Sequence, residues 1–456
     1  MNGSAFSLAP VPGPAPAPPA ALAGKRVRVE TMGCRVNRHD AAQLGAALSA
    51  MGCLLAEAGA PFDIYLLNTC TVTHQADAEA RRRARRARRR CPRARVVLTG
   101  CYAEVSPQAL LAMPEVDLVV GNHGKADLAA RIGALFEPAV GPAPGPAGRS
   151  AGGGSVSGAV TRALPDQGGD TRFFLKVQEG CDVACAFCII PAARGRGRSM
   201  PPDDVVDVLI RAHAAGYREA VLAGIHLGGY GEGLGTHLAA LVRRVLDETP
   251  MPRIRFGSIE PWGLSDAFVE LFAAHERLLP FLHVPLQSGS ASVLKRMRRP
   301  CTPEFYRRRV GRIVAAKPGL TLGADVLTGF PGETAAEFAE GLEFIESLPF
   351  SQLHVFPYSR RAGTPAADLP DPVDEAVKRD RVRRLIALSD ARRRAALAAQ
   401  VGTVSHVLVE ARGRGHTHNN HPIRLLADPP PPRGRVVAVM VTGVDGDDLL
   451  GALAAP

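Results

Sequence analysis

The segment that most restricts this chain is residues 178–191, QEGCDVACAFCIIP, which places Cys181, Cys185 and Cys188 within eight positions. Three thiols on one loop directly after a strand-like run point to metal, because thiolates hold iron–sulfur clusters, zinc and other soft metals. A structural zinc site pairs its short spacings and totals four ligands, and no fourth ligand is evident near these three. A 4Fe–4S cluster held by three protein ligands leaves one iron open, which is useful only if something else binds there. The chain has nine cysteines, an odd number, and six of them fall into two organised sets. That departs from the dense, even framework of a small secreted disulfide protein and favours a reducing, cytoplasmic setting.

The second set lies upstream. KRVRVETMGC, FDIYLLNTC and ARVVLTGC each read as a strand running into a cysteine (Cys34, Cys70 and Cys101), with helical segments between them and a fourth strand at VDLVVGN. Strands alternating with helices imply a doubly wound parallel sheet. In such a sheet all strand C-termini share one edge, where ligands bind, so the fold itself would gather the three thiols.

After a stretch rich in Gly, Pro, Ala and Ser the alternation resumes with RFFLKVQEG, EAVLAGIH, RIRFGSIE, FLHVPLQS, LTLGADVLTG and SQLHVFPYS. Six such units predict a partial βα barrel related to the eightfold one. A basic helical segment and short β-like runs follow. The expected organisation is a disordered Pro/Ala tail (1–24), the sheet domain (25–136), a flexible linker (137–170), the partial barrel (171–398) and a small all-β barrel (399–456). No run approaches the roughly 18 apolar residues of a membrane helix, and the N-terminus lacks a charged signal-peptide start.

The net charge is +11, and residues 81–95 hold ten arginines with no acidic residue. A like-charge run is ordinarily a solvated helix face. Ten mutually repelling arginines nevertheless gain from a polyanion whose counterions they release, so Arg82, Arg85, Arg86 and Arg89 are expected to meet RNA phosphates.

CDVACAFC has the CxxxCxxC form of the radical S-adenosylmethionine (SAM) enzymes, with Phe187 before the last cysteine. The resemblance implies that SAM chelates the open iron and is cleaved by one electron to a 5′-deoxyadenosyl radical. TMGCRVNRHD, LLNTCTVTHQAD and LTGCYAE, followed by AGIHLGGYG, VPLQSGS, GFPGET and FPYSRRAGTPA, resemble the methylthiotransferase family over almost the whole chain. Within that family they look most like the bacterial threonylcarbamoyladenosine type. The resemblance implies that Cys34, Cys70 and Cys101 hold a second 4Fe–4S cluster, and that two SAM are used per turnover. By family position the loop with Gly224 and His226 lies near SAM's amino end, Phe187 and the strand-end polar groups Gln287 and Asp325 are further candidate SAM contacts, Arg194 is a candidate partner for a ligand carboxylate or phosphate, and Ala192 stands where the family has tyrosine. Structural roles compete for each contact taken singly.

The C-terminal segment resembles a TRAM RNA-binding barrel, with Arg424, His416, His418, Asn419 and Asn420 as candidate RNA contacts on an exposed polar loop. The expected substrate is C2 of N6-threonylcarbamoyladenosine in tRNA, beside the anticodon. Isopentenyladenosine in tRNA and an aspartate of a ribosomal protein are the alternatives, with a non-catalytic iron–sulfur RNA-binding protein behind them. The expected partners are tRNA and an electron donor such as flavodoxin or ferredoxin, acting on a monomer.

Overall fold

The computed structural model describes residues 20–137, 164 and 170–454. Most of the tail and nearly all of the linker expected at 137–170 lie outside the described residues.

Five parallel strands form the first sheet: β1 (Arg26–Thr31), β2 (Leu54–Leu55), β3 (Ile64–Thr69), β4 (Arg95–Gly100) and β5 (Leu118–Val120), in the order β2-β1-β3-β4-β5. All six residues of β3 are buried, as a central strand covered on both faces requires. Ile64 and Leu66 face Leu44 and Leu48 of helix α1 (Arg35–Ala50). Tyr65 and Leu67 face Ala80, Ala84 and Ala87 of helix α2 (His74–Arg90). The strand order reverses between β1 and β3, which is where an open α/β sheet leaves its ligand crevice. Sequence patterning missed β2, whose two residues are too few to show a period. The disordered tail also ends earlier than expected: Ala20–Leu22 form a turn, Leu22 is fully buried, and Gly24 N–H donates to Gly52 O at 2.9 Å.

The second layer begins at β6 (Phe173–Lys176). The short pair β7 (Gln178–Glu179) and β8 (Arg198–Ser199) brackets the cysteine loop. Then come β9 (Ala220–Ala223), β10 (Ile254–Phe256), β11 (Phe281–His283), β12 (Thr321–Thr328) and β13 (Gln352–Pro357). β6, β9 and β10 pair in parallel, as do β11, β12 and β13, and single bridges Ile254–Leu278 and Ser258–His283 join the halves. The six strands therefore stand side by side in chain order as the partial barrel expected. Helix Glu375–Ala398 seals the last strand, with Ser389 Oγ accepting from Leu353 N–H at 2.8 Å.

The C-terminal strands β14 (Val404–Val409), β15 (Arg414–His416), β16 (Pro422–Leu425), β17 (Val436–Asp445) and β18 (Asp448–Leu453) close into a barrel. It docks on the N-terminal edge of the βα barrel. Glu219, just before β9, binds Arg253 at 2.9 Å and Arg255 at 2.7 Å. Arg255 donates onward to Thr417 O and His418 O, and Arg253 to His406 O. His421 Nε2 lies 3.1 Å from Thr321 Oγ1. This corrects the expectation of an exposed polar loop at 416–421, because Thr417, Asn419 and His421 are buried there. Burial and neighbouring positive charge push His418 and His421 down to about 4.

Candidate active site

Two glycines set the N-terminal thiols. Gly33 has φ +85°, and a Cβ there would sit 2.7 Å from Cys70 Cβ. Gly100 has φ +96°, and its Cβ would sit 2.4 Å from Thr69 O. Each turns the chain sharply from a strand end into a helix start, so Cys34 heads α1 and Cys101 heads helix α3 (Cys101–Val105). Gly100→Ala is expected to destabilise the protein by about 2 kcal/mol or more, since both conformation and space are denied. An unchanged urea midpoint would show that the turn relaxes.

Cys34, Cys70 and Cys101 are close enough that Cys101 raises the thiols of both Cys34 and Cys70. Burial pushes Cys70 up to about 11, with Cys101 and Cys34 adding to it. Cys34 is raised by burial too, an effect that Arg194 opposes. Asn122 Nδ2 donates to Cys101 Sγ at 3.6 Å and to Ala193 O at 2.7 Å, tying this set to the second domain.

The other three thiols lie on the loop after β7. Gly180, with φ +73°, leaves no room for a Cβ, which would fall 1.9 Å from Arg196 O. Val183 N–H points at Cys181 Sγ at 3.4 Å, Arg299 Nη1 at Cys185 Sγ at 3.7 Å, and Cys188 N–H donates to Cys185 O at 3.1 Å. Burial and the neighbouring thiols push Cys181 up to about 11 and Cys188 to about 12. Thiols packed together with so little opposing charge suit a site that an iron cluster neutralises, with N–H donors already aimed at sulfur.

A cavity of about 180 Å³ lies beside the second set, with Cys188 in its lining. Val72 and Thr73, two and three residues after Cys70, form one wall; Phe187, Cys188, Ile189 and Ile190 form another. Gln287, held at φ +75°, and Asp325 close it from the barrel side. Gln287 N–H donates to Asp325 O at 2.9 Å, so the strained residue is pinned by β12. Gly224 and His226 lie beside the cysteine loop. His226 N–H donates to Gln178 Oε1 at 2.7 Å, and Trp262 Nε1–H donates to His226 Nε2 at 2.9 Å. Trp262 in turn lies beneath Arg299, 4.9 Å from its ring centre.

Arg194, expected to meet a ligand carboxylate or phosphate, meets the protein's own carboxylates instead. It is 1% exposed and pairs with Glu179 at 2.7 Å and Asp40 at 3.2 Å. Asp40 also takes Lys125 at 2.7 Å and Lys176 at 2.6 Å. Burial works to raise Asp40, but Lys125, Lys176 and Arg194 together hold it well below the usual carboxylate range. Sequence reasoning missed this network, since isolated Asp and Lys residues carry no spacing signal. A second tie crosses the far side of the cavity: Asp77 binds Thr71 at 2.7 Å and Arg361 at 2.5 Å, all three buried.

Arg82, Arg85, Arg86 and Arg89 project outward from α2 while Ala80, Ala84 and Ala87 face the sheet. Arg88 instead caps local carbonyls and binds Asp117 at 2.5 Å. Arg424 pairs with Asp445 on the C-terminal barrel. Ala192 is exposed, so the missing tyrosine leaves no internal gap.

Residues 26–121 match the model of the uncharacterized protein family UPF0004, and residues 175–345 that of the radical SAM superfamily. The threonylcarbamoyladenosine tRNA methylthiotransferase MtaB of Bacillus subtilis is 42% identical over 80% of this chain and 80% of its own. The chain belongs to the radical SAM methylthiotransferase family. The tRNA-2-methylthio-N(6)-dimethylallyladenosine synthase of Anaeromyxobacter dehalogenans is 37% identical over 96% of both chains. Among solved structures, the radical SAM methyltransferase TsrM of Kitasatospora setae, with cobalamin and a [4Fe-4S] cluster bound, shares the fold. Its TM-score is 0.53 at 19% identity, covering 75% of this chain and 77% of that one. This methylthiotransferase is thus an enzyme that uses SAM and a 4Fe–4S cluster. No helix among its described residues is long and apolar enough to cross a membrane.

Proposed function

We propose that this methylthiotransferase acts on tRNA, adding a methylthio group to C2 of N6-threonylcarbamoyladenosine beside the anticodon with two SAM per turnover. The observation that carries the reading is the gathering of two three-cysteine sets, joined through Asn122, which donates to Cys101 Sγ and to Ala193 O just past the second set. Cys181, Cys185 and Cys188 would hold the cluster that binds SAM, and Cys34, Cys70 and Cys101 a second cluster where sulfur waits. Together these groups supply radical hydrogen abstraction and a sulfur donor, which an unactivated C–H bond requires.

The chain's own residues do the rest. The apolar walls Val72, Phe187, Ile189 and Leu327 exclude water from the reacting carbon. Arg299 and the loop amides aim positive charge at sulfur. The buried pairs Arg194–Asp40 and Arg361–Asp77 fix the two halves around the cavity. In this reading residues 25–136 carry the sulfur site, 171–398 the radical site, and 399–456 act as a TRAM-like RNA module. The exposed arginines of α2 and Arg424 meet phosphates, and a flavodoxin or ferredoxin supplies electrons.

The name and 42% identity of the Bacillus relative support the threonylcarbamoyl substrate. The dimethylallyl reading is favoured by relatives that match over 96% of the chain. Mass spectrometry of tRNA nucleosides from cells with and without the gene separates them. The methylthio mark on threonylcarbamoyladenosine is expected to vanish, and loss of the mark on dimethylallyladenosine alone would overturn the substrate.

A further inference from the structure

The ion network between the two cysteine sets does not balance its own charge. Arg194, Lys125 and Lys176 bring three cations against two carboxylates, Asp40 and Glu179, so one positive charge is left over. Arg194 and Asp40 are both buried, and a buried cation without a counter-charge is costly. Glu104, on the same short helix as Cys101, does not supply one, because it pairs with His123 at 3.0 Å. Arg194 also keeps a donor unused. Its Nε is buried and meets no acceptor among the described residues.

The groups gathered around this excess charge are thiols. The short helix Ile190–Arg194 packs on α3, whose first residue is Cys101. Asn122 bridges the two, donating to Cys101 Sγ and to the carbonyl of Ala193, the residue before Arg194. On the other side Arg194 Nη2 donates to Asn37 Oδ1, and the Asn37 backbone N–H favours the Cys34 thiolate. Asn37 Nδ2 donates to Thr69 O at 3.1 Å, one residue before Cys70. Burial works against the charge on Arg194, but Asp40, Cys101, Glu179 and Cys34 outweigh it, with Cys101 ahead of Glu179. A guanidinium of the second domain thus lies within electrostatic reach of the first domain's sulfur.

We propose that Arg194 is a positioning residue for the N-terminal sulfur site, where its leftover charge and free Nε–H offset the negative charge of Cys34, Cys70 and Cys101 once they hold iron. The inference rests on the two-cluster reading above and adds that the sulfur site is incomplete until the two halves dock. Three thiolates on a 4Fe–4S cluster make an anion, and an added electron makes it more so. A nearby fixed cation therefore raises the cluster's potential.

The test uses the full chain with Cys181, Cys185 and Cys188 replaced by alanine and reconstituted with iron and sulfide, so that only the N-terminal set holds a cluster. A dye-mediated reductive titration, followed by electron paramagnetic resonance, reads its potential. Arg194→Gln is expected to shift the one-electron equilibrium roughly tenfold or more toward the oxidised form, a potential about 59 mV more negative. Asp40→Asn removes an opposing charge from the same network and should move the potential the other way. Arg194→Lys, which keeps the charge, should recover most of the shift. A purely structural tie would lower iron occupancy and the unfolding midpoint in both variants without opposed shifts. An unmoved potential in an Arg194→Gln protein that keeps its iron, or shifts of one sign in both variants, overturns this inference alone. If Arg194→Gln holds no iron, Asp40→Asn decides: a raised potential supports the inference and an unmoved one overturns it. A parent whose N-terminal set takes up no iron overturns the two-cluster reading and this inference with it.

Discussion

Alanine at Cys185 is expected to abolish SAM cleavage while leaving the N-terminal thiol set and its iron intact. Cys185 is buried in the middle of the loop, its carbonyl held by Cys188 N–H and its sulfur faced by Arg299. Removing it takes one of three ligands from a cluster that has no protein-derived fourth, so about half of the chain's iron should be lost. The contrasting variant is Cys70→Ala. There SAM cleavage should persist, because Cys70 belongs to the N-terminal set and not to the Cys181–Cys188 loop, but no methylthiolated product should form. The pair is read by 5′-deoxyadenosine release, iron per chain and product mass. Cleavage retained in Cys185→Ala would remove that loop from the radical chemistry. Product made by Cys70→Ala would remove the N-terminal set from sulfur delivery.

How far such roles can be read without coordinates depends on how the information is stored. The Cys181–Cys188 loop is local, and three cysteines in eight residues declare themselves as candidate ligands. Cys34, Cys70 and Cys101 are far apart in sequence, yet strand-to-cysteine repetition placed them on one edge, since parallel βα units leave little choice. The six barrel strands were legible for the same reason. Arg194 was misread because its position beside the cluster loop suggested a ligand, whereas its partners Asp40 and Glu179 are 154 and 15 residues away. The 416–421 loop misled for a related reason. Its polar composition suits solvent, and only the docking of one barrel on another buries it.

That docking gives the second large expected effect. Glu219→Leu should cost about 3–5 kcal/mol, the range for removing one partner of a buried pair and stranding the other. Here two cations are stranded, Arg253 and Arg255, 5% and 2% exposed. Both also hold backbone carbonyls of the C-terminal barrel, so loosening should begin there, seen as faster amide exchange across β14 and the 416–421 loop. Replacing all three charged residues with apolar ones should recover much of the loss, which a role confined to one ion pair would not foretell. The same group sets an acid limit. Burial works to raise the Glu219 carboxyl, but Arg255 and Arg253 outweigh it and hold it at about 2, against 4.5 when free. A depressed carboxylate contributes stability that is complete above the unfolded value and declines as pH falls through the folded one. The difference corresponds to about 3 kcal/mol, present above pH 4.5 and lost progressively toward pH 2. In Glu219→Gln the unfolding free energy should therefore change less across that window than in the wild type. Equal slopes in the two proteins would show that Glu219 is not ionised in the folded interface, and that the arginines are held by carbonyls alone.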